Sequence, residues 1–186
     1  MGVLYPGSLI AVVSGTAEQA TLIVKKIQDY FIRNPEIMRE IQADSHRAVQ
    51  LSRNKGICTL KNGSKIESFS VGTMRGNRAK IVVIDESPEV KADDLDAVIA
   101  RVKNTKRDIC DQRGIADYPS KTVSITSACL KSNYFYAMFM QALREFSKGN
   151  PSNFACALDY RIAARVGITD MEFFLKEQKK MPEAKF

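Results

Sequence analysis

Histidine is almost missing from this 186-residue chain, with His46 the only one. The four cysteines, Cys58, Cys110, Cys129 and Cys156, are scattered and form no C-x-x-C pair. One histidine and four dispersed thiols do not supply the clustered ligands of a structural zinc site. The thiols read instead as reduced core filler in a cytoplasmic protein. His46 stands alone and reads as a surface or hydrogen-bonded histidine rather than a catalytic one. No apolar run approaches the roughly 20 residues that a membrane span needs, so no membrane partner is expected. The start, Met1-Gly2-Val3-Leu4-Tyr5-Pro6, lacks the basic region and long apolar stretch of a signal peptide. Internal repeats and low-complexity segments are also absent, which sets aside solenoids and arrays.

What remains is an ordinary globular composition. Hydrophobic residues make up 45% of the chain, enough for a core and too many for a disordered segment. The formal charge is +7, and the basic residues are spread rather than massed in a tail. Such a surplus favours polyanions, nucleic acid first, but equally describes a basic soluble surface. Arg33, Arg39, Arg47, Arg53, Lys55, Arg75, Arg78 and Lys80 are the cations to watch for DNA, although no base-reading motif is present.

Leu9 to Val13 is a short β-branched run suited to a strand buried on both faces. Thr16 and Gln19 form a capping box that opens a helix. Ala20, Ile23, Val24, Ile27, Tyr30 and Phe31 hold helical spacing until Asn34-Pro35 ends it. A second short helix is expected over 36–42. The runs 57–60 and 65–69 flank Lys61-Asn62-Gly63-Ser64, a hairpin signal. Ile81 to Ile84 is the next buried strand. A helix over 93–103, a polar loop over 104–119 and a strand over 122–126 follow. A strongly apolar helix spans 133–146, where Tyr134, Phe135, Tyr136 and Phe139 read as core packing rather than a stacking platform. A last strand is expected over 154–158. Thr169 and Glu172 form a capping box for a helix through Lys180. Strands alternating with helices predict an α/β domain with a mostly parallel sheet covered on both faces and one inserted hairpin.

"IVVIDESPEV", residues 81–90, ends a buried run with two acids. A carboxylate inside a sheet would be costly, so Asp85 should emerge at the strand's carboxyl end, where open α/β sheets bind ligands. There it could help hold magnesium, with Glu86 orienting or deprotonating a water. The competing reading is an acid that caps the next helix, since Pro88 favours a helix start. Ser124, Thr126 and Ser127 fall at the end of the neighbouring strand, within reach of a water or phosphate or simply as polar strand-tip residues. Arg75 and Arg78 sit in a Gly-containing segment before the acid-tipped strand, where arginine could neutralise phosphate.

In this order the pieces resemble the ATPase domain of the large terminase subunit, the DNA-packaging motor of tailed bacteriophages. "LIAVVSGTAEQATLIVKKI" resembles the strand and helix that follow the family's P-loop unit. "LKNGSKIESFSVGTMRGNRAKIVVIDE" resembles its hairpin, Arg-Gly segment and Walker B strand. "SITSA" is similar to its coupling motif, and "FFLKEQKKMPEAKF" to the segment before its nuclease domain. The resemblance implies a P-loop NTPase (RecA-like) three-layer fold. Residues 1–186 would be a partial ATPase domain, 1–150 being core and 151–186 a segment leading towards the nuclease domain. It implies Asp85 as the acid associated with Mg2+, Glu86 as the catalytic carboxylate and Ser124, Thr126 and Ser127 as coupling residues. Arg75 would lie near the nucleotide or a neighbouring subunit. It also implies magnesium and ATP as cofactors of the full-length protein, double-stranded DNA, small terminase subunit and portal protein as partners, and a place in the host bacterial cytoplasm.

One part of the family pattern is missing. No G-x-x-x-x-G-K-[ST] occurs, so the backbone cradle and lysine that grip phosphates are not in this sequence. The expectation is that the P-loop strand and helix lie upstream of Met1 and the nuclease acids beyond Phe186. The chain alone would then bind ATP weakly, hydrolyse it negligibly, expose a sheet edge and self-associate. Two alternatives stay open: a fragment of another RecA-like DNA translocase or helicase, and a non-catalytic module that binds DNA or protein.

Overall fold

A computed structural model describes residues 5–41, 49–86, 90–103, 105, 107–114, 116–126, 133–158, 160–167 and 170–180. The chain divides into two compact units, Met1–Ser127 and Ala128–Phe186. The first holds β1 (Leu9–Ser14), α1 (Ala17–Arg33), α2 (Pro35–Met38), β2 (Val49–Ser52), β3 (Lys55–Thr59) and β4 (Lys65–Ser70). It continues with α3 (Val71–Met74), β5 (Ile81–Asp85), α4 (Ala92–Lys103), α5 (Asp108–Arg113) and β6 (Lys121–Ile125). The six strands form one sheet in the order β2-β3-β4-β1-β5-β6. β4, β1, β5 and β6 are mutually parallel, while β3 runs antiparallel to both β2 and β4. The expected mostly parallel α/β sheet with an inserted hairpin is therefore present.

Local chemistry explains the elements. β1 is buried along nearly its whole length because it lies in the middle of the sheet. Its helix starts where expected: Thr16 Oγ1 accepts from Gln19 N–H at 3.2 Å, and Gln19 Oε1 accepts from Thr16 N–H at 3.2 Å. Asn34 and Pro35 end α1 and open α2. The β3–β4 connection is a tight turn in which Gly63 N–H donates to Leu60 O at 3.0 Å, with Gly63 at φ +81°. That is a three-residue hairpin loop whose left-handed position glycine fills.

Alternation along the strands sorts the core into two faces. Ile10 and Val12 of β1 pair with Ile81 and Val83 of β5, and this face carries α1 through Ala20, Val24 and Phe31. Ala11 and Val13 pair with Val82 and Ile84 on the opposite face, over which α3 and α4 lie. Leu95 and Val98 of α4 and Met74 of α3 are fully buried. α1 covers β1, β2, β3 and β4, while α4 contacts β5 and β6. On the α1 side, Val123 and Ile125 of β6 remain 44% and 52% exposed. α3 and α4 thus cover β1, β4, β5 and β6 on one face, and α1 lies chiefly over β1 to β4 on the other.

A polar lock holds α1 to the hairpin. Ser68 Oγ bonds Thr21 Oγ1 at 3.0 Å and accepts from Gly56 N–H at 2.7 Å. A Cβ added at Gly56 would lie 3.1 Å from Val24 Cβ, so only glycine lets the helix approach this closely.

The second unit holds α6 (Tyr134–Ser147), α7 (Tyr160–Arg165) and α8 (Met171–Lys180). Asn133 caps α6 by accepting from Phe135 N–H at 2.8 Å, and Asp170 caps α8 by accepting from Glu172 N–H at 2.9 Å. The expected α8 cap, Thr169, lies outside the described residues.

Several expectations need correction. Residues 154–158 form no strand: they are not paired with any strand of the sheet, and Phe154 and Leu158 are 75% and 76% exposed. An extended segment becomes a strand only when another chain segment takes its backbone hydrogen bonds. No residue of α6 is fully buried: Phe135, Tyr136 and Phe139 are half-buried, and Tyr134 is exposed rather than core. The polar stretch 104–119 contains the short helix α5, and the helix expected over 36–42 is the single turn α2. The sequence does not announce β2, because Val-Gln-Leu-Ser is short and half polar. Cys58 and Cys110 are buried as expected, whereas Cys156 is exposed.

Candidate functional site

Four parallel strands point their carboxyl ends at one rim, and strand register aligns what each delivers there. Ser70 of β4 pairs with Ser14 of β1, Val13 pairs with Ile84, and Asp85 pairs with Ile125. The last row of the sheet thus reads Ser70, Ser14, Asp85, Ile125. Asp85 is the final residue of β5 and is half-buried. Period-two alternation puts it on the α1 side of the sheet, with Val83, Val123 and Ile125. On that side α1 packs chiefly over β1 to β4, with Ile81 and Val83 of β5 at the margin of its core cluster, while Val123 and Ile125 of β6 stay about half exposed beside the carboxylate.

Glu86 follows at φ +50°, and it alone among the described non-glycine residues has a positive φ. A left-handed backbone at a residue with a Cβ costs roughly 1–2 kcal/mol. Such strain concentrates at functional positions. The strand ends at Asp85, with Glu86 in a bend directly after it.

Thr126 comes directly after β6, one residue beyond the partner of Asp85, so it shares the rim. Ser124 pairs with Ile84 and therefore lies on the α4 face, opposite Asp85. Ser127 lies outside the described residues. Arg75 ends α3 and is paired with Asp94 of α4. That pair brings α3 and α4 together, and the guanidinium remains more than half exposed.

Two rim features escaped sequence reasoning. Ser14 is fully buried and donates to Gln19 Oε1 at 3.3 Å, which ties the end of β1 to the start of α1. Ser70 and Thr73 form a second capping box at the end of β4, with bonds of 3.2 and 2.9 Å. The Ser-x-x-Thr spacing carried this signal, although glutamate or glutamine is the usual fourth residue.

The opposite rim carries the strongest electrostatics. Lys80, directly before β5, is 4% exposed. Its Nζ lies 2.8 Å from Asp117 Oδ2 and donates to Thr105 O at 3.1 Å. Arg107 gives Asp117 two further bonds, from Nε at 2.8 Å and from its backbone N–H at 2.9 Å. Tyr118 N–H adds a fourth at 2.9 Å. Burial alone would raise the Asp117 pKa, but the Lys80 and Arg107 hydrogen bonds outweigh it and hold the carboxyl well below the usual carboxylate range. Tyr118 stacks on Tyr5 with centroids 4.0 Å apart, and its hydroxyl bonds Ser8 Oγ at 2.7 Å. Lys80 is thus removed from the cations available to DNA: it is buried and fully engaged. A lysine abutting a buried strand was its only sequence signal.

Among the described residues no group of three or more His, Cys, Asp or Glu side chains could hold a metal ion. A rim carboxylate with nearby hydroxyls does not make an all-protein cage. It suits magnesium, which keeps waters and arrives with phosphate oxygens, using one or two protein carboxylates. Asp85 supplies one such carboxylate at this rim.

No protein-family model matches the chain, and no curated protein matches it. Solved structures do. The large terminase ATPase domain of Thermus phage P74-26 superposes with a TM-score of 0.58 at 16% identity, over 98% of this chain and 74% of that one. The large terminase of a second, thermophilic bacteriophage gives a TM-score of 0.50 at 13% identity, over 92% of this chain and 39% of that one. The chain thus spans well under half of that second protein. At such identities the likeness speaks for architecture, and the architecture of this chain is that of phage large-terminase ATPase domains.

Proposed function

We propose that this chain is part of a phage or prophage large terminase, an ATP-driven motor that packages double-stranded DNA. The observation that carries the reading is the position of Asp85. It ends an inner strand at the carboxyl rim, level with Ile125 of the strand that leads to Thr126, on the face where β6 stays about half exposed. Asp85 corresponds to the Walker B acid and would hold magnesium directly or through its water. Glu86 would orient an attacking water and accept its proton. Thr126 and Ser127 would report the state of the rim to the following segment. Ser124, on the α4 face, would pass movement to α4 rather than touch nucleotide. Bound magnesium and ATP would supply the phosphate bond that is cleaved and the charge that stabilises its cleavage.

The phosphate cradle would come from polypeptide outside this chain. Two features support this: no G-x-x-x-x-G-K-[ST] occurs, and β6 is a sheet edge with Val123 and Ile125 exposed beside Asp85. A strand and helix added at β6 would cover both. DNA, the small terminase subunit and the portal protein would be partners of the complete protein.

The test is turnover. Glu86→Gln in the complete protein should lower ATP hydrolysis at least about 100-fold, the lower end of general-base contributions, with the fold intact. Unchanged turnover would overturn the assignment and favour a non-catalytic binding module. The 186-residue chain alone should hydrolyse ATP negligibly, and a normal ATPase rate from it would refute the divided site.

A further inference from the structure

The buried hub at the amino rim plays no part in the chemistry proposed above, yet its connections are specific. Asp117 lies four residues before β6, and Lys80 is the residue before β5. The four donors on the Asp117 carboxylate fill the acceptor positions that a carboxylate offers. One more bond, from Lys121 N–H to Lys80 O at 3.1 Å, starts the β5–β6 ladder directly after the hub.

β6 needs such a device. Ladder bonds alone set register poorly, because every shift re-forms the same bonds, and a buried face normally decides. The α1-side face of β6 is exposed, with Lys121, Val123 and Ile125 open to solvent. A slip of two residues would keep each side chain on its face and expose little more apolar surface. It would also carry Thr126 about 7 Å from its place one residue beyond the partner of Asp85, at roughly 3.3 Å per residue.

We infer that Asp117 is a positioning residue: by binding Lys80 it fixes the register of β6 on β5, and so sets Ile125 level with Asp85 and Thr126 one residue beyond it. Its importance for catalysis rests on the nucleotide-site reading; its role in register does not. Arg107 completes the device by holding Asp117 from the other side and by donating to Pro6 O at 3.0 Å, which anchors the segment entering β1. Tyr118, packed over by both cations at 4.8 Å, closes the hub to solvent.

Cysteine pairs read register directly. Val83 and Val123 are register partners, and their Cα atoms should lie about 4.8 Å apart, within disulfide reach. Val83 and Ile125 should lie about 8 Å apart, beyond it. In the chain with Asp117 intact, V83C/V123C should oxidise and V83C/I125C should not, with the bonded peptides identified by mass spectrometry. Asp117→Asn should lower the V83C/V123C yield several-fold and raise a slipped bond, either V83C/I125C or V83C/K121C. Lys80→Met, which leaves the Arg107–Asp117 pair in place, should give a smaller change in the same direction. Unchanged V83C/V123C yield in both variants, even with a lower melting temperature, would overturn the inference and leave the hub merely stabilising. Loss of all three bonds in both variants would overturn it too, since folding as a whole would then depend on the hub. A shifted register with unchanged ATP turnover in the complete protein would uphold the pin and count against the nucleotide-site reading instead.

Discussion

Replacing Glu86 by glycine should make the chain more stable while removing the carboxylate assigned to catalysis. Glu86 sits at φ +50°, in the left-handed region, where a Cβ crowds the following carbonyl. Relief of that contact is worth roughly 1–2 kcal/mol. Glycine loses more freedom on folding, which takes back roughly 0.4–1 kcal/mol. The balance is a gain of about 0.5–1 kcal/mol, or about 1–4 °C in Tm for a chain of this length. Glu86→Ala is the control, since it removes the carboxylate but keeps the Cβ, and it should change stability by less than about 0.5 kcal/mol. Glu86→Asn should fall between the two, because asparagine tolerates the left-handed region better than most residues. The chain has no tryptophan, so urea unfolding followed by far-UV circular dichroism is the suitable assay, compared at equal m-values. A Glu86→Gly variant no more stable than Glu86→Ala would refute the claim that strain is stored there. A gain for glycine alone means that the natural residue is kept at the expense of stability, as expected of a functional position.

Two other outcomes follow from the packing and the hub. Gly56→Ala puts a Cβ 3.1 Å from Val24 Cβ and 3.2 Å from Val24 Cγ1, and Val24 is fully buried; the overpacking should cost about 1–3 kcal/mol by chemical denaturation, and a neutral result would mean that α1 is free to move away. Asp117→Asn should cost about 3–5 kcal/mol at pH 7, since it leaves Lys80 buried without its counter-charge. Because the folded-state pKa of Asp117 is depressed, that advantage is fully present above the unfolded value of about 3.9 and disappears as pH falls below it. The difference between the parent chain and Asp117→Asn should therefore narrow below about pH 4, and a constant difference down to about pH 2 would contradict the hub's charge state.

The legible parts of the fold were those whose cause is local. Leu9–Val13 and Ile81–Ile84 announced central strands because only a position buried on both sheet faces suits an uninterrupted β-branched run. Asn62-Gly63 announced a turn because the loop needs a left-handed residue, and Thr16 announced α1 because a helix start needs an acceptor for its free N–H groups. What stayed illegible depends on distant partners. β2 is a strand because β3 lies beside it, not because Val-Gln-Leu-Ser favours one. Residues 154–158 carry strand-like composition and remain unpaired. Lys80 and Asp117 lie far apart in the chain, so a buried pair joining them leaves no periodic trace. The site divides in the same way. An apolar run ending in acids located Asp85, because burial forbids a charge any earlier in the strand. The face taken by Ser124, the partner of Arg75 and the backbone of Glu86 all depended on register and packing.

The two edges of the sheet differ, and the difference bears on how the site is completed. β2 is four residues long, mostly exposed, and turns into Arg53 and Lys55, features that discourage further strand pairing. β6 presents Thr122, Val123, Ser124 and Ile125 without proline or a charge between them, and two of its side chains are large, apolar and about half exposed. Burying a valine or isoleucine completely is worth about 1.5–3 kcal/mol, so covering what remains exposed on Val123 and Ile125 would yield about 2 kcal/mol together. Both residues share a sheet face with Asp85, and Ile125 is its register partner. A segment that lies over this stripe must therefore also form a wall beside the carboxylate. Covering the apolar stripe and enclosing the acid pair are one event in this geometry, and the same contact that stabilises the sheet also dries and shapes the rim at which Asp85 and Glu86 emerge.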